Sequence, residues 1–382
     1  MKHNPNDLYK YQISEKMSIK LDLEPFVIGE LKLERPFIIA GPCSAETEEQ
    51  VMSTARQLAG LGIKVFRAGI WKPRTRPNAF EGIGTKGLAW LRKVKEETGM
   101  LTAIEVANVK HVYEALKYGV DILWIGARTT ANPFAVQEIA DTLQGMDIPV
   151  LVKNPVNPDI ELWIGAMERM NQAGIKKLAA IHRGFSTFEK SGFRNNPQWQ
   201  IPIEIKRRIP ELPIITDPSH ICGNRQGLFE ICQEAMDLNF EGLIIESHID
   251  PDNALSDSQQ QITPEELKHL LDRLIIRDPH IDNGISLTIG ELRAQIDDLD
   301  DKIIDIFEKR MLVSEEIGRY KKEHNISIFQ SKRWDTILKK RIQMGEMKGL
   351  SNDFIMKVFT AIHAESISHQ NRIMNLDPDT AT

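Results

Sequence analysis

From residue 36 onward, short apolar runs rich in Ile and Val recur, each followed by a polar turn and a stretch of helical periodicity. PFIIAGPCS, KVFRAGIW, LTAIEVA, ILWIGAR, PVLVKNP, LAAIHRGF, PIITDPSH and EGLIIESH make eight such runs. A strand that is apolar along its whole length is covered on both faces, as parallel strands packed against helices are. Eight of these units fit a closed α/β (β/α)8 barrel over 36–277. An open doubly wound sheet shares the alternation, but no GxGxxG turn follows the first run. Upstream, FVIGELKLERP reads as a short strand pair within an N-terminal extension, 1–35, placed to cap the barrel's bottom.

The last barrel helix is expected over 263–276. Residues 278–287 carry Pro, Gly and Asn without periodicity and read as a linker. Beyond them Ile289, Leu292, Ile296, Leu299, Ile303 and Ile306 alternate spacings of three and four, a seam that Val313, Ile317 and Tyr320 continue. A helix over 288–323 would be ~50 Å long at ~1.5 Å per residue. A seam of that length needs a partner, and a second copy of the chain supplies one. Two further helices at 331–344 and 353–374 complete an all-α domain, 288–376, before a tail at 377–382.

Apolar residues are 41% and charged residues 27% of the 382, the composition of a folded multidomain protein rather than a disordered one. No run approaches the ~20 apolar residues of a membrane span. The opening lacks the apolar core of a secretory leader, so a cytoplasmic protein without a membrane partner is expected. A net charge of −6 offers no general attraction to nucleic acid. Anions must therefore be held by local cations. Three cysteines, an odd number in so long a chain, argue against a disulfide framework.

Barrel enzymes build their sites where strands end, and here those ends are polar. Arg67 lies on the second run with Lys72 and Arg74 beyond it, while Arg128, Lys153 and Arg183 close the fourth, fifth and sixth. Six cations around one mouth predict a substrate pair rich in phosphate and carboxylate. The remaining ends supply Cys43, His220, Glu246 and, in the loop beyond, Asp257. A thiolate, an imidazole and two carboxylates suit one divalent ion such as Mn, Fe, Co or Zn. No organic cofactor is implied. Cys222, Cys232, His182 and His248 lack such company and read as structural.

These strings also carry a resemblance. GPCS, FRAGIWKPRT, IGARTT, LVKNP, HRGF, DPSH and IIESHIDPDNALSDSQQ, in this order, resemble the type Iβ 3-deoxy-D-arabino-heptulosonate 7-phosphate synthases across the whole barrel. Those enzymes open the shikimate pathway by joining phosphoenolpyruvate to erythrose 4-phosphate. The resemblance implies that Arg67, Lys72, Arg128, Lys153 and Arg183 hold phosphoenolpyruvate, Lys72 also acting in catalysis, and that Arg74 and Thr75 receive the sugar phosphate. It places Cys43, His220, Glu246 and Asp257 on the metal ligands. Glu105, ending the third run, is a candidate to orient the water that adds at C2. The related synthase that takes arabinose 5-phosphate is the nearest alternative. It carries an asparagine-containing stretch where this chain has KPRT, and it usually lacks a C-terminal domain.

In the long helix Arg310 occupies a seam position, and Lys321 lies within ~20° of the same face at ~100° per residue. Ser366 and Gln370, spaced i and i+4, share a face of the third helix. Arg293 lies 17 residues before Arg310, ~25 Å along the axis, so it could only serve a partner's site. This arrangement resembles the AroQ-class chorismate mutases, intertwined helical dimers that convert chorismate to prephenate. Arg293, Arg310, Lys321, Arg333, Ser366 and Gln370 fall on that family's binding positions, with Arg310, Lys321 and Gln370 as the catalytic set. Two positions depart: Trp334 stands where the family usually has glutamate, and Gln330 replaces an acidic residue. The expected protein is a bifunctional enzyme, inhibited by prephenate or chorismate through the helical domain. The alternative makes that domain a weakly catalytic regulator and dimeriser.

Overall fold

The structure is a computed structural model that describes residues 20–72, 80–187, 192–278 and 283–375. Most of the expected N-terminal extension, part of the linker, the tail, and both Arg74 and Thr75 lie outside the described residues. The chain divides into two compact units, Met1–Pro279 and His280–Thr382.

In the first unit a small antiparallel pair, β1 (Val27–Ile28) and β2 (Leu31–Lys32), precedes a closed barrel. Its strands are β3 (Phe37–Gly41), β4 (Val65–Arg67), β5 (Leu101–Val106), β6 (Ile122–Ile125), β7 (Val150–Lys153), β8 (Leu178–His182), β9 (Ile214–Thr216) and β10 (Gly242–Glu246). Each pairs in parallel with the next in chain order, and β10 closes onto β3 with Gly242 opposite Phe37 and Glu246 opposite Gly41. These are the eight apolar runs of the sequence.

The helices between them are α1 (Glu48–Gly60), α2 (Lys86–Thr98), α3 (Val109–Lys117), α4 (Ala127–Thr130), α5 (Pro133–Leu143), α6 (Ile160–Gln172), α7 (Gln200–Arg208), α8 (Pro218–Cys222) and α9 (Leu228–Asp237). α10 (Pro264–Arg273) ends the unit. Their starts are written locally. Thr47, Asn108, Asn132 and Asp159 each accept a backbone N–H of the first turn, and Thr263 with Glu266 forms a reciprocal capping box.

Two apolar layers result. Ile39, Val65, Ala103, Trp124, Leu151, Ile181 and Ile244 fill the lumen, sealed below by Phe26, Ile28 and Leu31 of the β1–β2 segment. Their neighbours of opposite parity, such as Phe66, Ile104, Val152 and Ala180, pack outward against the helices. His182 belongs to that outer layer, tilted against Trp199 and Phe185, with its Nε2 2.7 Å from the Pro197 carbonyl.

The second unit holds α11 (Asn283–Glu323), α12 (Ser331–Glu346) and α13 (Asn352–Asn375). α11 packs mainly on α13, as does α12. α11 begins at Asn283, inside the stretch that composition marks as a linker. Gly and Asn cost a helix least in its first turn, where backbone N–H groups have no intrahelical acceptor anyway. No described helix is long and apolar enough to cross a membrane.

His182 yields a pH prediction. Burial pushes its pKa down to about 4 from 6.5, although the Pro197 carbonyl pulls it up. Its folded pKa thus lies below its unfolded one, so the stability it permits is complete above pH ~6.5 and declines as pH falls toward 4. Between pH 6.5 and 5 the loss from this one group is about 2 kcal/mol. His182→Gln should flatten that part of the profile, measured as the urea midpoint of the barrel at each pH; an unchanged slope would exclude His182 as its source.

Candidate active site

Strand parity builds the first site. Side chains alternate between faces, so two residues above each lumen residue another points inward at the top of the barrel. From Val65, Ala103, Leu151, Ile181, Ile215 and Ile244 this rule leads to Arg67, Glu105, Lys153, Arg183, Asp217 and Glu246. An ionic layer therefore caps the apolar one.

Its members pair with one another. Arg67 Nη1 lies 3.2 Å from Glu246 Oε1, and Lys153 Nζ donates to Asp217 Oδ2 at 2.8 Å. Both cations lie over the Trp124 ring, at 5.1 and 5.6 Å, and its indole N–H donates to Glu105 Oε2 at 2.9 Å. A Cβ at Gly126 would stand 2.1 Å from Glu105 Oε1, so a larger residue there would displace that carboxylate. Burial opposes ionisation of Asp217 and Glu246. His220 with Lys153, and His220 with Arg67, overcome it and hold both carboxyls below their usual range.

The four ligand-type residues gather at the same mouth. Asp217 accepts from His220 Nδ1 at 3.0 Å, which leaves Nε2 as the ring's lone-pair nitrogen, 3.8 Å from Glu246 Oε1. Cys43 Sγ lies 3.3 Å from Asp257 Oδ2. They do not form a tight ligand set among the described residues. Local partners hold their donors: Lys72 Nζ is 2.7 Å from Cys43 Sγ, Arg194 is 3.0 Å from Asp257 Oδ1, and Gln260 donates to Glu246 Oε2 at 2.6 Å. Burial, reinforced by Glu246, pushes the Cys43 thiol up to about 12 against the pull of Lys72. The donor chemistry nonetheless fits a divalent ion, since the oriented imidazole, the thiol and two ionised carboxylates all face one mouth.

The segments bearing these groups are tied together. Asp257 adopts a left-handed backbone, φ 46°, at a cost of about 1 kcal/mol. Gln261 compensates as a staple, accepting from Cys43 N and donating to the Ser256 carbonyl, each at 2.8 Å. Ser44 and Ser256 hydroxyls meet at 2.6 Å, and Glu46 accepts from Leu255 N at 2.8 Å.

Above lies a cavity of about 540 Å³ lined by Lys72, Glu105, Arg128, Lys153, Arg183, Arg194, His220 and Asp257 among others. Arg183 hydrogen-bonds Asn195 Oδ1 at 2.7 Å, and burial with Arg194 and Arg128 nearby pushes its pKa down to about 10. The described barrel candidates are thus brought together. Sequence reasoning passed over Asp217, though DPSH contains it, because an Asp before Pro reads as a helix cap, which it also is. Arg194 comes from a segment without periodicity and carries no sequence signal.

In the helical unit Arg310 hydrogen-bonds Ser366, and Lys321 donates to Gln370 Oε1 at 3.1 Å and to the Ile328 carbonyl at 2.6 Å. Gln370 Nε2 donates to Ser314 Oγ at 3.3 Å. Burial pushes both cations below their ordinary pKa, Arg341 adding to the effect on Arg310. Arg293 and Arg333 are exposed, outside this cluster. Trp334 stacks on His363, with ring centroids 4.0 Å apart.

Comparison with known proteins assigns both units. The profile of the DAHP synthetase I family matches residues 18–278, most of the chain. The chain belongs to that family. Residues 292–371 match chorismate mutase type II, so this DAHP synthase family member carries a transferase and an isomerase domain of the shikimate pathway. A phospho-2-dehydro-3-deoxyheptonate aldolase of Thermotoga maritima is 35% identical over 249 residues, 65% of this chain and 72% of that protein. A 2-dehydro-3-deoxyphosphooctonate aldolase of Legionella pneumophila is 27% identical over 266 residues, covering 64% of this chain and 93% of its own. The crystal structure of the Thermotoga aldolase superposes with a TM-score of 0.59, spanning 64% of this chain and 71% of that one. A truncated 3-deoxy-D-arabino-heptulosonate 7-phosphate synthase from the same organism, 32% identical, gives 0.58 over 66% and 90%.

The ionic layer predicts a sharp stability effect. Lys153→Met leaves Asp217 buried without its ammonium partner and should cost about 3–5 kcal/mol. Adding Asp217→Asn should recover part of that loss in thermal unfolding. Additive losses would show that the two side chains do not compensate each other.

Proposed function

We propose that the barrel condenses phosphoenolpyruvate with erythrose 4-phosphate, releasing inorganic phosphate, and that the helical unit converts chorismate to prephenate. The observation that carries the first reading is the mouth's cationic surplus around an oriented imidazole. Arg67, Lys72, Arg128, Lys153 and Arg183 hold the phosphate and carboxylate of phosphoenolpyruvate. Buried Arg67 Nε, without a hydrogen-bond partner among the described residues, suits an anion. Arg74 and Thr75 receive the sugar phosphate.

Synthases of this family are generally metal-dependent. Cys43, His220, Glu246 and Asp257 would hold one divalent ion, Mn, Fe, Co or Zn, which when bound supplies Lewis acidity toward a carbonyl oxygen. Asp217 keeps His220 in the ligating tautomer, and the cations neutralise charge as C3 of phosphoenolpyruvate attacks the aldehyde and water adds at C2. Glu105, held by Trp124, is placed to orient that water.

In the helical unit Arg310 holds a carboxylate, while Lys321 and Gln370 address the ether oxygen on which charge develops. Arg293 and Arg333 complete the site, Arg293 by reaching into the partner. The α11 seam supports a homodimer: Leu292, Ile296, Leu299, Val313, Ile317 and Tyr320 are 45–58% exposed, an apolar stripe that a second copy would cover. Joining the pathway's first enzyme to a later one supports feedback, in which prephenate or chorismate bound by the helical unit slows the barrel. The Trp334 substitution favours a second reading, a mutase-like regulator of low activity.

Phosphoenolpyruvate consumption tests the barrel. Turnover is expected with erythrose 4-phosphate and not arabinose 5-phosphate, lost on chelation and restored by a divalent ion; the opposite sugar preference would overturn the substrate assignment. Arg310→Ala should lower mutase kcat/KM by about 10²–10³, and absence of mutase turnover in the unaltered protein would leave the regulatory reading. In sedimentation equilibrium Ile303→Glu should shift the full-length protein to a smaller species, and an unchanged mass would sink the seam as its interface.

A further inference from the structure

The mutase reading leaves one ligand group without a partner, the ring hydroxyl shared by chorismate and prephenate. Trp334 stands where a glutamate acceptor would be, and an indole N–H only donates. His363 lies one turn before Ser366 on α13. Spacings of three and four put His363, Ser366 and Gln370 on one face of that helix, and the last two bond Arg310 and Lys321. His363 therefore borders the same cluster.

Its ring is held by its neighbours rather than by hydrogen bonds. Trp334 stacks on one face at 4.0 Å and 22°, and Phe329 approaches at 6.1 Å and 64°. Stacking leaves the ring edge, which carries both nitrogens, and no described residue hydrogen-bonds to either. Burial, with Arg310 and Lys321 facing it from α11, pushes the His363 pKa below its ordinary value. The neutral ring offers one N–H and one lone pair. Beside a ligand that already brings two carboxylates, a neutral acceptor avoids the repulsion a third anion would add.

We infer that His363, oriented by Trp334, is the hydroxyl-recognising and specificity-determining residue of the helical site, in place of the missing glutamate. The inference rests on the mutase reading of that site. Because the product is not turned over, prephenate is a suitable probe, compared with an analogue whose ring hydroxyl is replaced by hydrogen.

Calorimetric titration of the full-length protein should show prephenate bound about tenfold tighter than the analogue, the size of one neutral hydrogen bond. His363→Leu should remove that preference by weakening prephenate alone, and His363→Asn, which keeps an acceptor, should retain part of it. Arg310→Ala should weaken both ligands together, because both carry the carboxylates. Should the leucine variant not fold, His363→Phe preserves the stack and reads the same difference. A preference that survives the loss of His363 overturns the inference, as does equal binding of the two ligands by the unaltered protein; both outcomes leave the mutase reading standing. Binding of neither ligand would overturn both.

Discussion

Buried charges inside a barrel must cancel. Removing an ion from water costs several kcal/mol, recovered only by a well-placed counterion and further hydrogen bonds. Arg67 with Glu246 and Lys153 with Asp217 meet that demand, and Trp124 joins them by offering its ring to both cations and its N–H to Glu105. The wider mouth is not balanced. Lys72, Arg128 and Arg194 are added to this layer and Asp257 is the one further carboxylate among the lining residues named, so a positive surplus faces the cavity. Burial depresses the pKa of Arg183, and Arg194 and Arg128 nearby add to the effect. An anionic substrate relieves the surplus, so the same charges that constrain the fold define what the mouth accepts.

Much of this was legible because the barrel writes its site in strand parity. A polar residue closing an apolar run is conspicuous, which is why Arg67, Lys153 and Glu246 stood out. What linear reading could not supply was pairing. Asp217 serves as helix cap, counterion to Lys153 and acceptor for His220 at once, and its sequence context signals only the first. Gln261 and Arg194 act across more than sixty residues of sequence or from an aperiodic loop, where no periodicity marks them. The early start of α11 escaped for a related reason: composition reports propensity, and packing decides the boundary.

Periodicity has a second limit, visible in α11. Spacing says which residues share a face, not which face turns inward. Leu292, Leu299 and Ile317 share a seam that is 45–56% exposed, whereas the buried neighbours of α11 and α13 include Ser314, Ser366 and Gln370. Within one chain the polarity of the packing is partly inverted. A helix with its apolar stripe outward and its polar groups inward needs both a covering partner and a polar ligand to be fully satisfied.

The two sites therefore hold their charges in different ways. In the barrel, buried cations meet carboxylates of the same chain. In the helical unit Arg310 and Lys321 meet a hydroxyl, an amide oxygen and a backbone carbonyl, and no carboxylate among the described residues forms an ion pair with either. Neutral acceptors satisfy hydrogen-bond geometry without cancelling charge, and burial, with Arg341 beside Arg310, lowers the pKa of both cations. A dianionic ligand would supply the missing countercharge. By mass action, such a ligand stabilises the conformation that binds it in proportion to the logarithm of its concentration. Ligand occupancy at such a site is thus coupled to the stability of the helical unit.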